Sequence, residues 1–239
     1  MAGAGTLINI AGILVGGLTG MTFGKIMKPR YQEILMLATG VCVLFIGMGG
    51  ALENMLTITD GQLSSGGTLM IIICFALGSL LGEWLNIERQ IARFGEWLKI
   101  KTGSRGDATF VDGFVTASMT ICIGAMAVVG AIQDGIFGDY SVLAAKAVID
   151  LILILVMTAS MGRGCMFAAI PVGVFQGCIT LLARLVQPLM TEQALANLSL
   201  TGSIMIFCIG INLVWNRKIR VVNMLPTIVL AVAWAFLPF

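Results

Sequence analysis

The sequence of 239 residues contains no histidine. That removes the commonest general base and the commonest zinc ligand, so any proton relay must run through carboxylates. Charge is scarce as well. Only 11% of residues are Asp, Glu, Lys or Arg, too few to cover a soluble domain of this length. The six cysteines (Cys42, Cys74, Cys122, Cys165, Cys178, Cys208) include no CxxC pair, which argues against a zinc knuckle or a disulfide framework. There is no phosphate-binding glycine loop, dinucleotide fingerprint or nucleophile elbow. The chain is therefore expected not to be an enzyme, to carry no catalytic set, cofactor or metal, and to bind no nucleic acid. The fifteen methionines are scattered and read as packing residues, not as a soft-metal route.

What the sequence does have is apolar length. It is 58% hydrophobic, with a mean hydropathy of +1.01. The apolar residues fall in runs of about 20 separated by short polar hinges, as spans of a roughly 30 Å hydrocarbon layer require. The runs are continuous and rich in Gly and Ala, whereas barrel strands would alternate. The expected fold is all-α: one polytopic transmembrane helix bundle over residues 1–239. Eight spans are expected, at about 5–24, 33–53, 67–86, 110–131, 140–160, 165–187, 197–215 and 221–238. Pro171 and Pro188 could kink the sixth or make it re-entrant, which leaves seven as the alternative. The first run has no basic segment before it and reads as a true span.

Basic residues sort to one side. Lys25, Lys28 and Arg30 follow span 1; Arg89, Arg93, Lys99, Lys101 and Arg105 follow span 3; Arg163 follows span 5; Arg217, Lys218 and Arg220 follow span 7. The alternate loops carry Glu53, Asp60, Asp134 and Asp139 without Lys or Arg. The positive-inside rule then puts both termini outside the cytoplasm, with Arg184 and Lys146 as the exceptions. Ile87, Ile91, Phe94 and Leu98 recur at helical spacing opposite Arg89, Arg93, Glu96 and Lys99. An amphipathic helix over 87–101, lying in the cytoplasmic interface, is expected.

Two small-residue rows suggest close helix packing: Gly12, Gly16, Gly20 and Gly24 in span 1, and Gly78 and Gly82 in span 3. Gly5-Thr6-Leu7 also aligns with Gly67-Thr68-Leu69, as a parallel repeat would. Thr116–Gly124 echoes Thr201–Gly210 on spans that run in opposite senses, which points to an inverted repeat of the kind many carriers use.

The strongest functional signal is a pair of opposite charges inside span 5. Asp150 lies about 15 Å from Tyr140 at 1.5 Å per residue, near mid-membrane, and Lys146 lies one turn before it. Uncompensated, each would cost roughly 2.5–3.5 kcal/mol at that depth, so both should face the protein interior or a water-filled cavity. The pair either serves transport or fixes helix register. Asn9, Ser118, Thr120, Gln133, Asp134, Gln176 and Asn212, with Ser203, are the other candidates for a shared polar pathway; singly, each could be a helix–helix hydrogen-bond partner.

The stretches GTLINIAGILVGGLTG (5–20), GAIQDGIFGDYSVLAAKAVID (130–150) and CIGINL (208–213) resemble an uncharacterised family of bacterial polytopic inner-membrane proteins, the YqgA/YdfK-like domain of unknown function family 554. The resemblance covers the whole chain. It implies a bacterial plasma-membrane protein and assigns no residue a role. The expected function is a secondary transporter or channel-like carrier of a small solute or ion, with Lys146 and Asp150 at the translocation site. The expected partners are the lipid bilayer and that solute, with self-association into a homo-oligomer left open. The alternative is a membrane scaffold or assembly subunit that binds its partner through the glycine ridges.

Overall fold

A computed structural model describes residues 3–59, 62–122, 125–215 and 219–237. Asp60, Arg217 and Lys218 lie outside the described residues, as do Ile123 and Gly124 at the end of the span 4 echo. The chain is an all-α bundle. Among the described residues, six helical segments are long and apolar enough to cross a membrane: Ala4–Ile26 (α1), Pro29–Met55 (α2), Thr68–Leu85 (α3), Ser141–Met161 (α7), Arg163–Leu181 and Glu192–Trp215 (α10). Within the fifth of these, a 3₁₀ turn at Arg163–Ala168 leads into α8, Ala169–Leu181. Glycine-rich sequence can hold these helices because lipid offers backbone groups no competing partners, so they must bond within the helix.

The expected fourth span is a bent pair, Phe110–Cys122 (α5) and Ala125–Phe137 (α6), with a 63° bend between them. Counted as one span, it brings the total to seven. The expected eighth span is shorter than the others. A 3₁₀ turn at Val221–Met224 precedes Pro226–Trp234 (α11), and Val221–Trp234 together would reach only about 20 Å at 1.5 Å per residue. Pro171 does not kink the sixth span. It lies in the first turn of α8, where its missing N–H is tolerated. Pro188 falls in a separate 3₁₀ turn, Gln187–Leu189, after the short helix Ala183–Val186 (α9).

The loop after α2 holds an antiparallel hairpin that the sequence reading left unassigned. Leu56–Thr59 (β1) pairs with Gln62–Ser65 (β2), Leu56 opposite Ser65 and Thr59 opposite Gln62. Asn86 in the left-handed region (φ 51°) separates α3 from the amphipathic helix Ile87–Lys101 (α4). The apolar stripe of α4 does more than face lipid. Leu98 is buried with Phe110 and Phe114 of α5, and Phe94 stacks on Trp97 at 5.7 Å between centroids and tilts against Phe114.

Small residues set the helix pairs. A methyl group added at Gly12 would sit 2.9 Å from the Ala147 carbonyl oxygen, and one at Gly24 would sit 3.0 Å from that of Ala159. Gly16 and Gly20 press still closer on the carbonyls of Leu151 and Leu155. Each four-residue step along α1 is matched by a four-residue step along α7, so the two helices run parallel, backbone against backbone. Gly40, Gly47 and Gly50 of α2 pack on Leu213, Phe207 and Ser203 of α10, which makes that pair antiparallel. Gly78 and Gly82 of α3 pack on Thr227 and Asn223, again antiparallel. These relative directions fit a chain that crosses back and forth. Many large apolar side chains face outward, among them Leu7, Leu18, Trp84, Leu181 and Val229, as suits a surface in contact with lipid.

Candidate functional site

Lys146 and Asp150 are on the face of α7 that turns inward, and both are buried, at 7% and 2% exposed. The Lys146 ammonium donates to the Asp150 carboxylate one turn away. The glycine row of α1 explains what stands across from them. With Gly12 seated on Ala147, the register sets Asn9, one turn earlier in α1, opposite the turn of α7 that carries Lys146. The Asn9 side chain is fully buried and lies near the Asp150 carboxylate. The Asn9 amide N–H also donates to Gln176 Oε1 of α8 at 3.2 Å. Cys122, the last residue of α5, lies near enough to feel both charges. Three helices therefore supply the polar centre directly, and a fourth borders it.

The order continues toward the end of the bundle where α1 begins. Asp134 of α6 is fully buried, and its Oδ2 accepts the Gly5 backbone N–H at 3.0 Å, satisfying one of the free donors at the start of α1. Asp134 Oδ1 and Gln133 Oε1 are buried without hydrogen-bond partners. Thr6 and Thr180 are buried there too, again with unpartnered hydroxyl oxygens. The sequence reading missed both threonines. Thr6 is three residues before Asn9 and Thr180 four after Gln176, so helical spacing around the two amides was the signal that could have found them.

Other expected members are not drawn in. Ser118 Oγ donates to its own helix at Phe114 O (2.6 Å), and Thr120 Oγ1 donates to Thr116 O (2.8 Å). Asn212 ties Ile219 back to α10: its amide donates to Ile219 O (2.8 Å) and its carbonyl oxygen accepts the Ile219 N–H (2.9 Å). Ser203 packs against Gly50 of α2. Asp139, expected in an acidic loop, accepts the Ser141 N–H at 2.9 Å at the start of α7. That bond, with the Ser141 hydroxyl, holds the Asp139 carboxyl below the usual carboxylate range. The glycines expected to pack helices do so within the chain, Gly12, Gly16, Gly20 and Gly24 on α7, and Gly78 and Gly82 on the α11 side.

At the opposite end of the bundle is a second polar knot that the sequence did not reveal. Buried Asn223 donates to Glu83 Oε2 at 2.7 Å, accepts the Glu88 N–H at 2.8 Å, and so ties α3, α4 and the 3₁₀ turn before α11 together. Arg220 pairs with the same Glu83 from an exposed position.

Residues 4–236 match the family described as "Protein of unknown function (DUF554)". The chain belongs to that family. It is similar to the "Uncharacterized membrane protein YdfK" of Bacillus subtilis (strain 168), 27% identical, the match covering 95% of this chain and 93% of that one. It is also similar to the "Uncharacterized protein YqgA" of Escherichia coli (strain K12), 24% identical over 95% of this chain and 94% of that one. No solved structure matches it. The family, the apolar helices and the name of the Bacillus relative together make this a multi-pass membrane protein.

Proposed function

We propose that the protein is a secondary transporter or channel-like carrier that moves a small solute or ion across the bacterial inner membrane, and that it is not an enzyme. The observation that carries this reading is the buried Lys146–Asp150 pair beside Asn9 of α1, which bonds in turn to Gln176 of α8. Ionisable groups at membrane depth are costly and usually mark pathways or relays. A buried ion pair adds little net stability over well-packed apolar residues, because desolvation offsets most of the attraction. Its retention for packing alone therefore has weak support.

In this reading Lys146 meets an anionic group or acts as a built-in counter-cation, and Asp150 takes up a proton or a cation. The 63° bend between α5 and α6, with Cys122 at its edge, supports it further, since discontinuous helices commonly build carrier sites. The inverted relation between the α5–α6 segment and α10, both termini outside the cytoplasm, and operation without a cofactor belong to the same proposal. So does assembly of identical chains on the outward apolar faces. A scaffold role through the glycine ridges is less well supported, because α7 and the α11 region already fill them.

The test is reconstitution in proteoliposomes after a solute-retention screen has identified the solute. Wild-type protein should move it, and Asp150→Asn should abolish flux while remaining folded and inserted. Normal flux in that variant would remove Asp150 from the mechanism.

A further inference from the structure

Six buried side-chain atoms without hydrogen-bond partners gather at the end of the bundle where α1 begins: Thr6 Oγ1, Asn9 Oδ1, Gln133 Oε1, Asp134 Oδ1, Gln176 Nε2 and Thr180 Oγ1. Among the described residues only two others are found, Thr158 Oγ1 on α7 and Thr227 Oγ1 on α11. Packing places the six at neighbouring levels. Helices α1 and α8 run antiparallel, with Gly17 on Met166, Gly173 on Ile10 and Asn9 bonded to Gln176, so Thr6 and Thr180 both lie one turn further toward the start of α1. Helix α6 closes the group, because Asp134 bonds to Gly5 and the neighbouring Gly135 presses on the backbone of Thr180.

Unpaired buried polar atoms are rare in folded proteins, and a concentration of them calls for a ligand or ordered water. The chemistry of this set is one-sided. Five of the six atoms are oxygens, and one belongs to a carboxylate. Among the described residues Asp134 has no ion-pair partner; the pairs there are Lys146–Asp150, Arg163–Asp107 and Arg220–Glu83. Its carboxylate, which accepts the Gly5 N–H, thus lacks a cationic side chain, since Lys146 and Asp150 neutralise each other one layer deeper. Oxygen donors suit hard cations, whereas thiolates, thioethers and imidazoles would suit soft ones. A single carboxylate balances a single positive charge, and a divalent ion would add unpaired charge next to Lys146.

We propose that this end of the bundle binds a hard monovalent cation of the sodium class, with Asp134 Oδ1 as its anionic ligand and the oxygens of Thr6, Gln133 and Thr180 completing the shell. The site departs from the sequence expectation of no metal. The Asn9–Gln176 bond connects it to Lys146 and Asp150, so the cation would be the coupling ion of the transport reading. That coupling rests on the transport reading; the binding does not.

Binding of ²²Na⁺ to purified full-length protein, at constant ionic strength set with choline chloride, tests the proposal. Saturable binding of one ion per chain is expected, with a melting temperature that rises as sodium replaces choline. Asp134→Ala should weaken binding at least tenfold. Thr180→Val, which keeps the side-chain shape, should weaken it in a protein that still melts cooperatively. Absence of saturable binding to wild type, or unchanged affinity in both variants, overturns the site. Sodium binding without solute flux upholds the site and removes the transport reading; solute flux without sodium binding does the reverse.

Discussion

Gly20 of α1 seats directly on the carbonyl oxygen of Leu155 in α7, and the same register, continued back along α1, sets Asn9 opposite the turn of α7 that carries Lys146. Packing and site are therefore one arrangement. The same small-residue row that lets two backbones touch also decides which amide stands beside the buried charge pair.

The first prediction concerns that row. Gly16→Leu and Gly20→Leu would drive a side chain into the α7 backbone, and overpacking of this kind costs about 1–3 kcal/mol or more. Thermal unfolding in detergent should show a clear loss for both. Gly49→Leu, at a glycine with open space around it, should unfold close to wild type.

A second prediction separates the amides from their surroundings. Asn9→Leu leaves Gln176 without its donor, and Gln176→Leu leaves the Asn9 amide without its acceptor; each should cost about 1–3 kcal/mol. The double variant should cost less than the sum of the two. Full additivity in unfolding free energies would show that the hydrogen bond contributes nothing.

The third prediction is a pH dependence at Asp139. Its carboxyl is held below the ordinary range by Ser141, so the unfolded chain binds the proton more readily than the folded one. Its contribution to stability is then fully present above the unfolded value of about 4 and is lost as pH falls through the lower folded value. Asp139→Ala should melt below wild type at pH 7, and the difference should close under strongly acidic conditions. A gap independent of pH would contradict this.

How much of this was legible in the sequence depended on the kind of signal. Continuous apolar runs gave the helices, and the four-residue glycine steps marked α1 as a packing helix. Neither could say that α7 was the partner, because every span offers a similar apolar face. Lys146 and Asp150 were conspicuous because charge is rare at membrane depth, and Asn9 and Gln176 because amides are. Thr6 and Thr180 were overlooked since a threonine in a membrane helix commonly satisfies itself on its own backbone, as Thr120 and Ser118 do here. The short last helix and the bend between α5 and α6 were missed for a different reason. Hydropathy sums apolar residues over a window and is blind to where the backbone breaks. The β1–β2 hairpin had one sequence cue, the Asp60-Gly61 dipeptide between two polar-apolar stretches.

A fourth prediction addresses the charge pair as a structural element. Lys146→Met alone leaves Asp150 buried without a counter-charge and should destabilise by about 3–5 kcal/mol. Replacing both, as Lys146→Met with Asp150→Leu, removes the charges together and should recover most of that loss in unfolding experiments.

That double variant provides the most direct measurement of the central claim, since it separates folding from function. Solute flux should be compared between proteoliposomes holding wild-type protein and those holding an equal amount of folded, inserted Lys146→Met/Asp150→Leu protein. The account predicts near wild-type stability with flux reduced to that of empty liposomes. Wild-type flux from the uncharged variant would contradict it and leave the pair as a structural lock between helices.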